Sequence, residues 1–148
     1  MCDKHEFRFD VDQAYADQLA TVLEASPEHA LSEPEATRGF GIYVLYMGST
    51  KVPVYVGQAV GAGGLSRRLR GHLRKVENRK GLMLDEMACR FLLIEQKWEV
   101  ARAEDILIRR YDPQWNGIPG FSMHVPGRGR PGMPDYQNEW DKKFLPLG

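Results

Sequence analysis

The chain has 148 residues, 43% hydrophobic and 27% charged, with 20 Lys and Arg balancing 20 Asp and Glu for a formal net charge of zero. That length suits one domain with its own core, and the neutral total argues against a uniformly basic nucleic-acid binder. No run approaches the roughly 20 apolar residues of a membrane-spanning helix, and the polar start Met1-Cys2-Asp3-Lys4-His5-Glu6 is unlike a secretory signal, so a cytoplasmic protein without a membrane partner is expected.

Val11, Tyr15, Leu19, Val22 and Leu23 recur at helical spacing, which predicts a helix from about Val11 to Glu24, capped by Asp10 or Asp12 and solvated on its acidic face. Residues 26–34 carry two prolines and read as a linker. Ile42-Tyr43-Val44-Leu45-Tyr46 and Val52-Pro53-Val54-Tyr55-Val56 are β-branched and aromatic runs joined by a short turn, hence a hairpin with Pro53 at a start or edge.

The glycine-rich turn from Gly57 to Gly64 has neither the Lys-Ser/Thr ending of a P-loop nor a dinucleotide fingerprint, so no nucleotide cofactor is expected. The next helix places Leu65, Leu69, Leu73 and Val76 on one side, and Arg68 and His72, four apart, together on another. Charge is segregated here. Residues 1–37 hold two basic and nine acidic side chains, whereas residues 67–80 hold seven basic against Glu77, so a basic stripe faces any polyanion despite the neutral total.

Met87 to Glu95 fits helix or strand by periodicity, and the continuous apolar run Phe91 to Ile94 predicts a strand for its central part, with Cys89 a small core residue; Trp98 to Tyr111 predicts a helix with Val100, Ala103, Ile106, Leu107 and Arg110 in register. Two distant cysteines make no disulfide framework, and the four histidines lack zinc-site spacing. Between Gly117 and Pro134, nine of eighteen residues are Gly or Pro, which excludes regular structure there. The aromatics Trp115, Phe121, Tyr136, Trp140 and Phe144 predict that this tail wraps the domain.

Gly41-Ile42-Tyr43, Tyr55-Val56-Gly57, Arg68, Glu104 and Pro113-Gln114-Trp115-Asn116 together resemble the GIY-YIG nuclease family, over roughly residues 40–117. Arg68-x-x-x-His72, the Glu104-to-Asn116 spacing and the tail Gly120-Phe121-x-x-His124-x-Pro126-Gly127-x-Gly129-Arg130 are similar to its compact type II restriction endonucleases. Val56, where the name motif has isoleucine, is the one departure, and a conservative one.

The resemblance implies an α/β (α+β) fold: a small, mainly antiparallel three-stranded sheet flanked by helices, with an irregular Gly/Pro-rich C-terminal tail. It implies a single domain over residues 1–148, with an N-terminal helix and linker (1–39), a catalytic core (40–117) and a wrapping tail (118–148). The implied activity is sequence-specific, Mg²⁺-dependent cleavage of double-stranded DNA, leaving 5′-phosphate and 3′-hydroxyl ends, with Mn²⁺ as a substitute and a homodimer on a palindromic site. A repair or mobile-element nuclease, or a non-cleaving DNA-binding module, are the alternatives.

The residue types suit that chemistry. Hydrolysis of a phosphodiester needs a positioned water, a proton acceptor and positive charge at the phosphate. Glu104 is the metal candidate, and a single such carboxylate predicts one metal per site. Arg68 faces the scissile phosphate, its planar fork better suited than an ammonium. The family implies that Tyr43 acts near the attacking water, Tyr55 orients water or phosphate and Asn116 braces the site; His72 is accordingly assigned to proton relay with Tyr43. Gln58, Arg67, Arg70, Arg74, Arg128 and Arg130, with His124, are the candidates for DNA contacts, to bases or to phosphates.

Overall fold

The computed structural model describes residues 5–33, 38–121 and 138–147. Helix α1 (Val11–Ala25) starts where Asp10 Oδ1 accepts a hydrogen bond from the Gln13 amide at 2.9 Å, satisfying one of the four amides a helix start leaves open. Its acidic face is not simply solvated. Arg102 donates to Asp12 at 2.7 Å and Arg110 to Asp17 at 2.8 Å, so Arg110 is exposed rather than in the apolar register. These surface pairs orient α1 more than they stabilise it.

Residues 26–34 are more than a linker. His29–Ala30 form a short strand, β1, pairing with Cys89 and Ala88, and the Leu31 amide extends the contact to the Met87 carbonyl at 3.1 Å. Two residues are too few to show a period, so only tertiary pairing reveals this fourth strand. The expected hairpin is β2 (Gly41–Met47) with β3 (Val52–Ala59), and β4 (Met87–Leu93) pairs with the other side of β2. The sheet is antiparallel throughout, in the order β1-β4-β2-β3, with four strands instead of three. Pro53 lies on the edge strand opposite Tyr46, beside a register shift at Leu45/Tyr46, where a missing amide is tolerated.

Both faces of the sheet are covered, which is why β2 reads as a continuous apolar run. Helix α2 (Gly64–Val76) lies against the face carrying Tyr43, Leu45, Tyr55 and Cys89. Helix α1 and helix α3 (Lys97–Tyr111) cover Ile42, Val44, Val56 and Ala88 on the other face. On α2 the buried stripe is Leu65, Leu69, His72 and Val76, with His72 in the place expected for Leu73. The 4-3-4 spacing of that stripe follows the helix surface more closely than the 4-4-3 of the leucines.

After α3, Asp112 closes the helix in the left-handed conformation, and a 3-10 turn, Gln114–Gly117, buries Trp115. Trp115 and Phe121 meet Trp140 of α4 (Glu139–Lys143) with ring centroids 4.9 and 4.4 Å away. Helix α4 is held by a capping box between Asn138 and Asp141 and by an ion pair of 2.6 Å from Arg79 to Asp141. Both partners of that pair are over nine-tenths buried or close to it, so deleting one strands a charge. Asp141→Ala is therefore expected to lose about 3–5 kcal/mol of stability, read from urea unfolding. A loss of a few tenths would mean that α4 unfolds apart from the core.

Candidate active site

The pairing register brings the two tyrosines together. Tyr43 on β2 is opposite Gly57 on β3, and Leu45 is opposite Tyr55, so both tyrosines sit on the face beneath α2 with ring centroids 6.1 Å apart. Both are buried. Any Cβ at Gly57 would overlap the Tyr43 hydroxyl and crowd the Tyr55 ring. The glycine of Tyr55-Val56-Gly57 is thus the space into which the Tyr43 ring fits, a role that no spacing rule assigns.

Helix α2 adds Arg68 and His72 from the same side. His72 is 2% exposed, and its Nε2 lies 2.5 Å from the Tyr43 hydroxyl oxygen. Its ring also packs against Tyr55 and, stacked, against Phe121 at 4.7 Å. Burial, then the charges of Arg68 and Lys75, hold the imidazole well below its ordinary pKa, so it is neutral. Burial, then Tyr55, hold Tyr43 well above the ordinary tyrosine range, against the opposing pull of Arg68. Tyr43 therefore keeps its proton, and a neutral His72 with Nε2 as acceptor places its ring hydrogen on Nδ1.

Arg68 connects the parts. It hydrogen-bonds to Tyr43 and feels both tyrosines and, more weakly, Glu104; although its own burial pulls the other way, these partners hold its guanidinium above the ordinary value. Its buried Nε and the buried Nδ1 of His72 have no protein partner among the described residues.

Glu104 is half-buried on α3. Burial raises its pKa, Arg68 opposes this and the neighbouring Asp105 adds to it. Asn116 braces the other side of the site. Its Oδ1 accepts from the Val56 amide at 2.9 Å and its Nδ2 donates to the Val56 carbonyl at 2.8 Å, completing the ladder of edge strand β3 between the two site residues Tyr55 and Gly57.

The DNA-contact candidates are scattered. Arg67, Arg70 and Arg74 are exposed along the outer side of α2, on the same helix as Arg68. Gln58 pairs with Ile42, which puts it on the opposite face of the sheet from Tyr43, half-buried. Arg128, Arg130 and His124 lie outside the described residues. Sequence reasoning missed Gly57, Phe121 and Lys75 as parts of the site, since each acts through contacts with residues distant in the chain.

A buried tyrosine-histidine pair with an arginine beside it, on a sheet whose two strands carry the two tyrosine triplets, coincides with a family match. The profile of the Eco29kI GIY-YIG domain covers residues 42–144. The chain belongs to this family. Among solved structures, the N-terminal GIY-YIG endonuclease domain of UvrC from Thermotoga maritima, bound to magnesium as its catalytic cation, is 24% identical. That comparison covers 68% of this chain and 97% of that domain, with a TM-score of 0.39. A tyrosine point mutant of the same domain, bound to its catalytic divalent cation, is 23% identical over the same shares, with a TM-score of 0.39. No curated protein matches the chain significantly.

Two outcomes follow for this GIY-YIG domain. Gly57→Ala should displace Tyr43 and cost about 1–3 kcal/mol by overpacking, with circular dichroism unchanged in shape and the urea midpoint lowered. Glu104 has a raised folded pKa, so its ionised form weakens the fold: stability drops as pH rises from the ordinary value of 4.5 through the folded one. Glu104→Gln should thus raise Tm at pH 7 without added metal, and the gain should vanish below about pH 4.

Proposed function

We propose that this GIY-YIG nuclease domain is a sequence-specific type II restriction endonuclease that hydrolyses double-stranded DNA and leaves 5′-phosphate and 3′-hydroxyl ends. The observation that carries the reading is the buried Tyr43–His72 contact at 2.5 Å beside Arg68. That contact, with Glu104 near enough for Arg68 to feel its charge, favours cleavage over a non-cleaving binding module. The match to the Eco29kI-type profile supports restriction rather than repair.

Tyr43 is protonated and His72 neutral, so Tyr43 acts as a relay and not as a standing phenolate. As the attacking water forms its bond to phosphorus, Tyr43 takes the water's proton and passes its own to His72 Nε2. Arg68, half-buried beside Tyr43, turns its guanidinium charge to a phosphoryl oxygen and stabilises the charge gathering there. Tyr55, in contact with Tyr43 and Arg68, keeps both in place. The bond from phosphorus to the 3′ oxygen breaks as the charge moves onto the leaving alkoxide.

Glu104 is the residue that would hold a Mg²⁺ ion, or Mn²⁺ in its place. Among the described residues no three His, Cys, Asp or Glu side chains gather, and a single half-buried carboxylate suits a cation that keeps most of its water shell. Such an ion, one per site, supplies positive charge for the leaving oxygen. Arg67, Arg70 and Arg74 serve DNA binding from the exposed side of α2, and Arg128 and Arg130 are assigned to the same task. A homodimer on a palindromic site, working in the cytoplasm, completes the reading.

Incubating the protein with mixed DNA and Mg²⁺ tests it. Discrete fragments support restriction, nicks confined to distorted DNA would move the reading to repair, and retention without cutting would leave a binding module. Glu104→Gln should lose at least about 10³-fold in cleavage with DNA binding kept within a few-fold. Because His72 works as the neutral base, kcat should stay level as pH falls through the ordinary histidine value of 6.5 and drop only well below it. A break at 6.5 would remove the buried neutral imidazole from the mechanism.

A further inference from the structure

Lys75 lies one turn beyond His72 on α2, and both its ends are engaged. Its carbonyl accepts from the Trp140 indole Nε1 at 3.0 Å. Its Nζ donates to the Gly120 carbonyl at 3.2 Å and, more closely, to the Phe121 carbonyl, with the Phe121 ring centroid 5.8 Å away. The side chain thus runs from the catalytic helix to the segment entering the site from the C-terminal part of the chain.

Phe121 is fully buried, and its ring covers the imidazole. It stacks on His72 at 4.7 Å with 25° between the planes and meets Tyr55 edge-on at 4.9 Å. Behind it stand Trp115 at 5.1 Å and Trp140 at 4.4 Å. Gly120 is in the left-handed region at φ 96°, and a Cβ there would collide with Asn138, so the turn presenting Phe121 is pressed against the start of α4.

Among the described residues, the groups facing His72 are few. Tyr43 comes from β2, Tyr55 from β3, and Arg68 and Lys75 are the charged groups on its own helix. Phe121 supplies the apolar side. An imidazole with one hydrogen bond, at Nε2, is free to turn about its side-chain torsions unless packing stops it. Water reaching the ring would favour its cationic form, which cannot accept the Tyr43 proton.

We propose that Lys75 and Phe121 are positioning residues for His72: Lys75 pins the Phe121 segment to α2 so that the Phe121 ring holds Nε2 on the Tyr43 hydroxyl and excludes water. This rests on the proton-relay reading of the site. It adds two residues that act through His72. Lys75 has a second effect of the same sign, because its cation beside His72 disfavours a second cation on the imidazole.

The test uses Lys75→Met, which keeps the length and removes charge and donors, with Lys75→Arg as the conservative variant and Phe121→Leu as an independent loss of the ring stacked on His72. Cleavage is followed as kcat and KM against pH, and the His72 imidazole by NMR titration, its signal assigned with His72→Gln. Lys75→Met should lower kcat roughly 10-fold near pH 6.5 with KM unchanged, part of the roughly 10²–10⁴ that acid-base catalysis supplies. The acid limb of kcat and the imidazole titration should move up together, and Lys75→Arg should restore both. Phe121→Leu should shift the titration the same way, which keeps the proposal testable if Lys75→Met fails to fold. An imidazole titration unmoved in the folded variants overturns the proposal. If the wild type cuts no DNA the nuclease reading fails separately, while the titration still decides whether Lys75 and Phe121 keep the imidazole neutral.

Discussion

A hydroxyl and an imidazole placed in an apolar core must satisfy each other or carry the full cost of lost hydration, and Tyr43 and His72 do so at 2.5 Å. That contact constrains the rest of the structure. It requires α2 to lie against the face of β2 that carries Tyr43, and it requires Gly57 opposite, since any side chain there would push the ring away. Phe121 closes the remaining side by stacking on the imidazole.

The two covered faces of the sheet divide the labour. Beneath α2 lie the tyrosines, the histidine and the aromatic group of Trp115, Phe121 and Trp140, closely packed and buried. The other face is an apolar seam between the sheet, α1 and α3, which fixes α3 and hence Glu104. Arg68 is the group that senses both sides, feeling the tyrosines strongly and Glu104 weakly.

The raised pKa of Glu104 fits a residue that is stable in the fold only at some expense and that a cation or substrate environment would relieve. Asn116 has the opposite character. Its amide replaces a missing strand neighbour for Val56, so the same residue that completes the edge of the sheet also holds Tyr55 and Gly57 in register.

Read alone, the chain determined the elements whose periodicity is long or whose capping is local: α1 with its Asp10 cap, the β2–β3 hairpin, α2, β4 and α3. It also carried the GIY-YIG resemblance, because the triplets, Arg68, Glu104 and Asn116 stand in order along it. Tertiary structure alone decided the two-residue strand β1, too short to have a period, and the burial of His72 in place of Leu73, which depends on which side of α2 meets the sheet. Only tertiary structure brought Gly57, Phe121 and Lys75 to the Tyr43–His72 pair. Local pattern is set by neighbours within a turn or a strand, whereas a buried polar pair is set by whatever packs around it, and those groups come from β3, α2 and the chain beyond Trp115.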